Sequence, residues 1–370
     1  MSLLQLQAQN LEVLGLCFGV AFFWGVLLQR SHFCTMGAIS DVVIMGDSTR
    51  LRQWVLAVAL SVLGFGGMSW LGWISPLNTI YGAQGLNGLT LTLGGCMFGV
   101  GMVLASGCTS KNIARLAGGN LKSLVVLMSM GIFALATMRG LPAVWRVQVL
   151  DAIALPVSTS FAGQWLSGLT GWSLPMGMGV MSVLVSSLLL VWVFRLPAFR
   201  RASAYGPGMW TAAAILAVWW ISGVHGFVPE HPETLESIFL STASGRMESM
   251  SFTAPVAYAL DAFMYFSDGS KRVNLGMVLA LGLLVGAWAS TVQQGAFRWE
   301  GFTRIDDLAW HVLGGALMGM GAVMALGCSI GQGLSGLSTL SWGSLLAVLG
   351  IAVGAVSTLQ WQVRRAESQA

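Results

Sequence analysis

The stretch GGCMFGVGMVLASGCTSKNIARLAGG (94–119) joins two kinds of sequence that seldom occur together. Its first part, 94–107, is rich in glycine and carries no charge, which is typical of a helix packed against other helices inside a membrane. A cysteine then follows at the end of the apolar run, with Lys111 and Arg115 soon after it. The piece between Cys108 and the Gly118-Gly119 pair is much shorter than the roughly 20 residues of a span. We therefore interpret the Gly-Cys corner as a break in a membrane helix.

The composition of the whole chain assigns it to the membrane. Of its 370 residues, 55% are hydrophobic and only 9% are charged, and the mean hydropathy is +0.76. Soluble domains carry about 25% charged residues. The runs without Asp, Glu, Lys or Arg are 53–110, 152–194, 202–229, 273–297 and 308–363. These runs are apolar on every side, whereas barrel strands alternate over about 10 residues. The sequence therefore predicts an all-α polytopic membrane protein.

The distribution of charge predicts the topology. Basic residues cluster in short loops at Arg50 and Arg52, at Arg195, Arg200 and Arg201, at Lys271 and Arg272, and at Arg364 and Arg365. The loop 226–248 contains the acidic residues Glu230, Glu233, Glu236 and Glu248. Because basic loops stay on the cytoplasmic side, we expect a multi-pass protein of the cytoplasmic (inner) membrane. The net charge of +4 then reflects topology rather than nucleic-acid binding.

An internal repeat organises the chain. Residues 94–110 (GGCMFGVGMVLASGCTS) and 314–330 (GGALMGMGAVMALGCSI) are identical at eight of 17 positions with a constant offset of 220. A weaker similarity relates 24–33 to 288–297 with an offset of 264. We predict two related halves, 1–140 and 205–370, which a divergent connecting segment with membrane spans (141–204) joins. Related halves with matching breaks indicate a binding site between them. Whether the halves are parallel or inverted stays open at this stage.

Three of the five cysteines occupy one kind of position, at the end of an apolar segment and before a short helix-like piece. These corners are LLQRSHFCTMGAISD (27–41), ASGCTSKNIARLAGG (105–119) and ALGCSIGQGLSGLS (325–338). Cys34, Cys108 and Cys328 are therefore the candidate functional thiols. Cys17 and Cys96 lie inside uninterrupted segments and are expected to pack as small apolar side chains.

Broken helices predict what surrounds these thiols. A break frees backbone N–H groups at the start of the next half-helix, where they must line a cavity or be buried in protein. Such N-termini bind anions. We expect re-entrant half-helices that meet near the membrane midplane, with Thr109, Ser329 and Gln332 directed at a ligand. Lys111 and Arg115, one helical turn apart, are the candidate cations for an anion.

Thiols along a path suggest a substrate that contains sulfur. A transporter for an ordinary oxyanion needs helix N-termini and cations but no cysteine. A thiol combines a weak S–H donor with a polarizable sulfur. Weak and repeated contacts suit transport, because the substrate must also leave each site.

The three corners carry a resemblance to a known family. The segments 27–41, GGCMFGVGMVLASGCTSKNIARLAGG (94–119) and GGALMGMGAVMALGCSIGQGLSG (314–336) resemble the YeeE/YedE family of sulfur-compound membrane transporters. The resemblance implies uptake of thiosulfate or a related compound by an all-helical body whose short broken helices enter from both sides. It also implies that Cys34, Cys108 and Cys328 are functional. Relatives are linked with a small soluble sulfur-carrier protein on the cytoplasmic side, and some with selenium metabolism.

Alternatives to a thiosulfate transporter remain at this stage. One is a membrane enzyme that uses Cys108, near Lys111, as a persulfide-forming nucleophile. Another is a transporter of selenium compounds, and a third is a membrane subunit without a path. We expect a transporter rather than an enzyme, with no metal or cofactor. Its expected partners are a small sulfur-containing anion, the lipid bilayer and a cytoplasmic sulfur-carrier protein. The sequence contains no nucleotide-binding motif.

Overall fold

The fold is a bundle of α-helices with one two-stranded hairpin. The computed structural model describes residues 3–82, 87–150, 160–232, 234–267 and 273–369. The helices are α1 (Leu3–Ser31), α2 (Thr35–Ser40), α3 (Thr49–Trp70), α4 (Gly88–Leu104), α5 (Thr109–Ala117), α6 (Leu121–Arg139), α7 (Leu141–Trp145), α8 (Ala162–Thr170), α9 (Leu174–Phe194), α10 (Ala202–Trp220), α11 (Thr253–Met264), α12 (Leu275–Gln293), α13 (Ile305–Met324) and α14 (Trp342–Gln369). The antiparallel strands are β1 (Phe227–Val228) and β2 (Ile238–Phe239). Shorter π-helical turns cover Asp41–Met45, Arg146–Leu150, Ile221–His225 and Gly331–Gly336.

Within these described ranges, nine helical segments are long and apolar enough to cross a membrane. The chain is therefore an all-α, multi-pass membrane protein, as its composition predicts. Two of the nine segments, Leu4–Met45 and Gly88–Ala117, contain a cysteine corner. The placement of the short pieces relative to a bilayer stays a prediction.

The repeated segments pack against each other through their glycines. A Cβ on Gly94 of α4 would lie 2.6 Å from the backbone nitrogen of Ala325, and a Cβ on Gly314 of α13 would lie 2.7 Å from that of Ala105. The offset of 220 exchanges these two contacts, since it carries Gly94 to Gly314 and Ala105 to Ala325. Two further exchanged contacts join Gly101 to Gly314 and Gly321 to Gly94. Such close approach of backbones is the packing that small residues permit.

The exchanged contacts fix the relative direction of the two helices. Early positions of α4 meet late positions of α13, so the helices run antiparallel. Their neighbours follow the same relation. The backbone of α14 at Ile351 lies against Gly99, and that of α6 at Met130 lies against Gly319, 220 residues after Gly99. A two-fold relation that reverses the chain direction produces this pattern.

The weaker repeat does not follow that relation. Gly282 and Gly286 of α12 lie against Phe18 and Phe22 of α1, so the two helices run parallel. A relation that turns α4 onto an antiparallel α13 cannot also turn α1 onto a parallel α12. The similarity between 24–33 and 288–297 therefore marks two helices that pack side by side.

The bundle has two different ends. At the basic end, Arg52 of α3 donates to the carbonyl of Val193 at the end of α9 (2.9 Å). From that end α10 runs to the opposite one, the loop end, which the segment 226–252 forms. There α1 begins, and Gln9 donates to the His225 carbonyl (2.6 Å). The predicted topological markers Lys271, Arg272 and Glu233 lie outside the described residues, as does 151–159 of the predicted connecting segment. The boundaries at 140 and 204 stay predictions.

Candidate functional site

The three cysteine corners share one backbone conformation. In each, a residue other than glycine lies in the left-handed region two positions before the cysteine: His32 (φ 53°), Ser106 (φ 56°) and Leu326 (φ 54°). The left-handed region costs an L-residue about 1–2 kcal/mol. The same strained turn thus precedes all three thiols, although the sequences around it differ.

Backbone hydrogen bonds close each turn. The N–H of Gly107 donates to the Met102 carbonyl (2.9 Å), and the N–H of Gly327 donates to the Ala322 carbonyl (2.8 Å), five residues back in both corners. This is the Schellman pattern of a helix C-terminus. At the first corner the N–H of His32 donates to Leu28 (3.0 Å). Each preceding helix therefore ends in a satisfied cap.

The cysteines then start the next helical segments. Cys34 is the residue before α2, Cys108 is the residue before α5, and Cys328 precedes the π-helical turn Gly331–Gly336. The sulfur of Cys328 accepts a hydrogen bond from the N–H of Gly331, three positions on (3.4 Å). The corresponding N–H groups of Gly37 and Lys111 also interact with the thiols before them, but at distances too long for a hydrogen bond.

The fold brings the first two thiols together. The sulfurs of Cys34 and Cys108 lie 4.0 Å apart in a buried position, and both cysteines are free. Bonded sulfurs in a disulfide are about 2.05 Å apart. The Ser110 hydroxyl lies 3.4 Å from the Cys108 sulfur. From the third corner, the hydroxyl of Ser329 is close enough to interact with Cys108, but forms no hydrogen bond with a described residue.

Matched amides support the two repeated corners. The side-chain N–H₂ of Asn112 donates to the Gly107 carbonyl (2.9 Å), and that of Gln332 donates to the Ala325 carbonyl (2.5 Å). Asn112 and Gln332 are separated by the repeat offset of 220, and both are buried. The carbonyl oxygens of both amides have no partner among the described residues. Gln332 was predicted from its position beside Cys328, whereas Asn112 was missed, although the same offset points to it.

Cations surround the paired thiols. The Lys111 ammonium lies 3.4 Å from Nδ1 of His32, and Arg115 donates to the Ser106 carbonyl (2.9 Å). Arg50 forms an ion pair with Asp41 (3.3 Å) and lies over Gly37 of α2. Sequence reasoning assigned Arg50 to topology only. Because these charges cluster at the basic end, that side of the thiol pair attracts anions.

Two predicted hydroxyls have different surroundings. Thr109 lies 2.7 Å from the Thr253 hydroxyl and 3.4 Å from the Met130 sulfur, so its side chain joins α5 to α11 and α6. Thr35, next to Cys34, is buried and its hydroxyl has no described partner. Thr35 therefore has free hydrogen-bonding capacity next to the thiols, whereas that of Thr109 is used.

A cavity of about 350 Å³ lies at the loop end, outside the third corner. Leu326 and Gly327 form part of its wall, together with Glu248, Ser251 and Tyr258. Within the described ranges no group of three or more His, Cys, Asp or Glu side chains is arranged to hold a metal ion. The polar groups of the site are thus thiols, hydroxyls, amides and cations, which bind an anion by hydrogen bonds and charge.

Comparison with known proteins gives related transporters. A family model described as sulphur transport matches residues 30–357. The chain is 28% identical over 349 residues to the thiosulfate transporter TsuA of Escherichia coli, covering 92% of this chain and 91% of that protein. It is 26% identical over 340 residues to the thiosulfate transporter TsuA of Spirochaeta thermophila, covering 90% and 94%. The probable transporter YedE of Escherichia coli is 32% identical over 116 residues, 31% of this chain and 27% of that protein. These matches confirm the resemblance that the three corners carry.

Proposed function

Because the chain belongs to the sulphur transport family, we propose that it carries thiosulfate, or a closely related sulfur-containing anion, across the cytoplasmic membrane. The observation that carries the proposal is the meeting of the three corners. Two thiols lie 4.0 Å apart, and Ser329, beside the third thiol, lies against them. Three separate breaks in the bundle thus present soft donors to one place.

The chemistry of this place suits a dianion with one terminal sulfur. Each thiol donates a weak hydrogen bond to an anionic sulfur or oxygen. Thr35 and Ser329 supply hydroxyls that lack described partners. Lys111 and Arg115 supply charge at the basic end, so the anion remains attracted after it leaves the first contacts. Weak and successive contacts permit release, which transport requires.

Two related halves account for how such a path closes and opens. We propose that 1–140 and 205–370 are inverted halves whose broken helices form the path between them. The exchanged contacts of α4 and α13 support this proposal, because each half supplies one glycine to each contact. Alternating access in transporters with inverted halves is largely a movement of one half against the other.

The basic end is the proposed cytoplasmic side. Basic loops are retained there, and Arg50, Lys111 and Arg115 would face it. A small soluble sulfur-carrier protein is the proposed partner that accepts the delivered compound on this side. In this proposal the protein moves its substrate without changing it, and chemistry follows on the partner.

Uptake by liposomes tests the function. Wild-type protein should accumulate radiolabelled thiosulfate in preference to sulfate. Loss of one hydrogen bond to a charged ligand costs about 1.5–3 kcal/mol, so Cys34→Ala, Cys108→Ala and Cys328→Ala should each lower uptake about 10–100-fold. Cys96→Ala is the matched control, since Cys96 packs against Gly350 and Gly354 of α14 and should leave uptake unchanged.

Each other outcome removes a different part of the proposal. Wild-type uptake that all three substitutions leave intact would show that the thiols do not form the path. Release of sulfur in a new oxidation state without accumulation would replace transport by the persulfide-forming enzyme. Preference for selenium compounds over thiosulfate would change the substrate.

A further inference from the structure

The cavity at the loop end has a carboxyl group where an anion would enter. Glu248 lies on the segment between β2 and α11 and is half-buried in the cavity wall. Its carboxylate accepts a hydrogen bond from the N–H of Ser244 (2.8 Å), and its own N–H donates to Ser222 (3.0 Å). The side chain is therefore held in place rather than free in the loop.

This cavity is connected to the third corner by direct contacts. Ser251 lines the cavity, and a Cβ on Gly331 would lie 2.8 Å from its hydroxyl oxygen. The Tyr81 hydroxyl donates to the Gly331 carbonyl (2.5 Å). Gly331 in turn donates its N–H to the Cys328 sulfur. A ligand in the cavity is thus one layer of side chains away from the Cys328 thiol.

Charged and titratable groups around Glu248 come from several elements. Tyr81 lies on the turn before α4, Tyr258 on α11 and Arg146 on the turn after α7, while Arg246 is two residues away. Arg246 is directed elsewhere, to the carbonyls of Leu77 and Thr79. Burial raises the pKa of Glu248, and hydrogen bonds from Ser244 only partly oppose it.

An ionised carboxylate in this wall would repel an anion, whereas a protonated one would donate a hydrogen bond to it. We propose that the cavity is the loading site for the sulfur oxyanion and that Glu248 holds it in the protonated form, so that each anion that binds takes up one proton. The inference rests on the proposed function. The proton comes from the water on the loop side and stays on the Glu248 oxygen, which donates it as a hydrogen bond to an oxygen of the anion.

The sign of the pH dependence follows. Thiosulfate stays a dianion over the range considered, so only the protein titrates. Below the pKa of Glu248 the proton is already present and binding does not depend on pH. Above it, the carboxyl must be protonated for binding, so affinity should fall about tenfold for each pH unit.

Proton uptake on binding is the direct test. Thiosulfate is added to the purified protein in weak buffer with a pH indicator, at pH values above the pKa of Glu248. Wild type should take up protons, approaching one for each anion bound. Glu248→Gln keeps an N–H donor but cannot titrate, so it should bind thiosulfate without proton uptake and with a flat pH profile. Glu230→Gln is the matched control, because Glu230 is exposed on the same loop, and it should behave as wild type.

Contrary results separate this inference from the function. If wild type accumulates thiosulfate in liposomes but binds it without proton uptake, the loading site is wrong and the transporter stands. The same holds if Glu248→Gln retains the wild-type pH profile. The wild-type measurement alone decides if the variant does not fold. If wild type neither binds nor accumulates thiosulfate, the proposed function itself fails.

Discussion

The Cys108 and Cys328 corners have the same scaffold and different surroundings. Both follow a left-handed residue, both are closed by a hydrogen bond five residues back, and both are braced by an amide four residues on. Cys108, however, lies beside a second thiol and below the cations of the basic end. Cys328 lies behind the loop-end cavity, among hydroxyl and backbone groups.

The comparison separates how the thiols are placed from what they attract. The repeated features are backbone bonds and an amide, which fix the position of a sulfur atom. The features that differ are charges, which set how strongly each thiol region holds an anion. Substitutions in the shared scaffold should therefore affect both corners alike, and substitutions of the charges should affect one.

Loss of the bracing amide should have the largest effect on stability. Asn112→Ala leaves the buried Gly107 carbonyl without its side-chain donor, and Gln332→Ala does the same to Ala325. A buried group that loses its partner costs about 1–3 kcal/mol. Both variants should lower the midpoint of unfolding in detergent, by similar amounts. Gln362→Ala, exposed on α14, is the control and should be neutral. A loss at one corner only would mean that the matched amides do not share a role.

Removal of one cation should affect substrate affinity rather than stability. Lys111→Gln should raise the KM for thiosulfate about 3–10-fold at low ionic strength, because a nearby charge is worth about 1 kcal/mol. The difference from wild type should shrink as salt is added. Lys122→Gln removes the same charge from α6, where Lys122 pairs with Asp307 (2.6 Å), and should leave the KM unchanged. Equal effects of both variants would assign the result to net charge instead of the corner.

The sequence predicted the thiols because breaks in apolar runs leave a local signal. Cys34, Cys108 and Cys328 each stand at such a break, and the offset of 220 marks α4 and α13 as repeated. The inverted relation was not readable, since it depends on which glycine meets which backbone across the bundle. Asn112 escaped notice because an amide after a corner looks like ordinary polar sequence until its counterpart Gln332 is compared with it.

The glycines of the corners were assigned the wrong conformational role by pattern alone. A glycine at a corner suggests the left-handed residue itself. Instead Ser106 and Leu326 take that conformation, and the glycine after each is needed for space. A Cβ on Gly327 would lie 3.2 Å from Cγ of Gln332, and one on Gly107 would lie 3.3 Å from Cγ of Lys111. Close packing, which the sequence does not display, decides between the two positions.

The smallest expected effect comes from relieving that conformation. Glycine at Ser106 or Leu326 removes a cost of about 1–2 kcal/mol but adds about 0.4–1 kcal/mol of unfolded-chain entropy. Ser106→Gly should therefore stabilise the protein by about 0.5–1 kcal/mol. Leu326→Gly should gain less, because Leu326 is 48% exposed and its remaining apolar contacts are lost. Leu349→Gly, at an exposed position of α14, should instead destabilise by about 1 kcal/mol. If both corner variants lost stability as Leu349→Gly does, the shared turn would not be strained, and its recurrence at three thiols would need another cause.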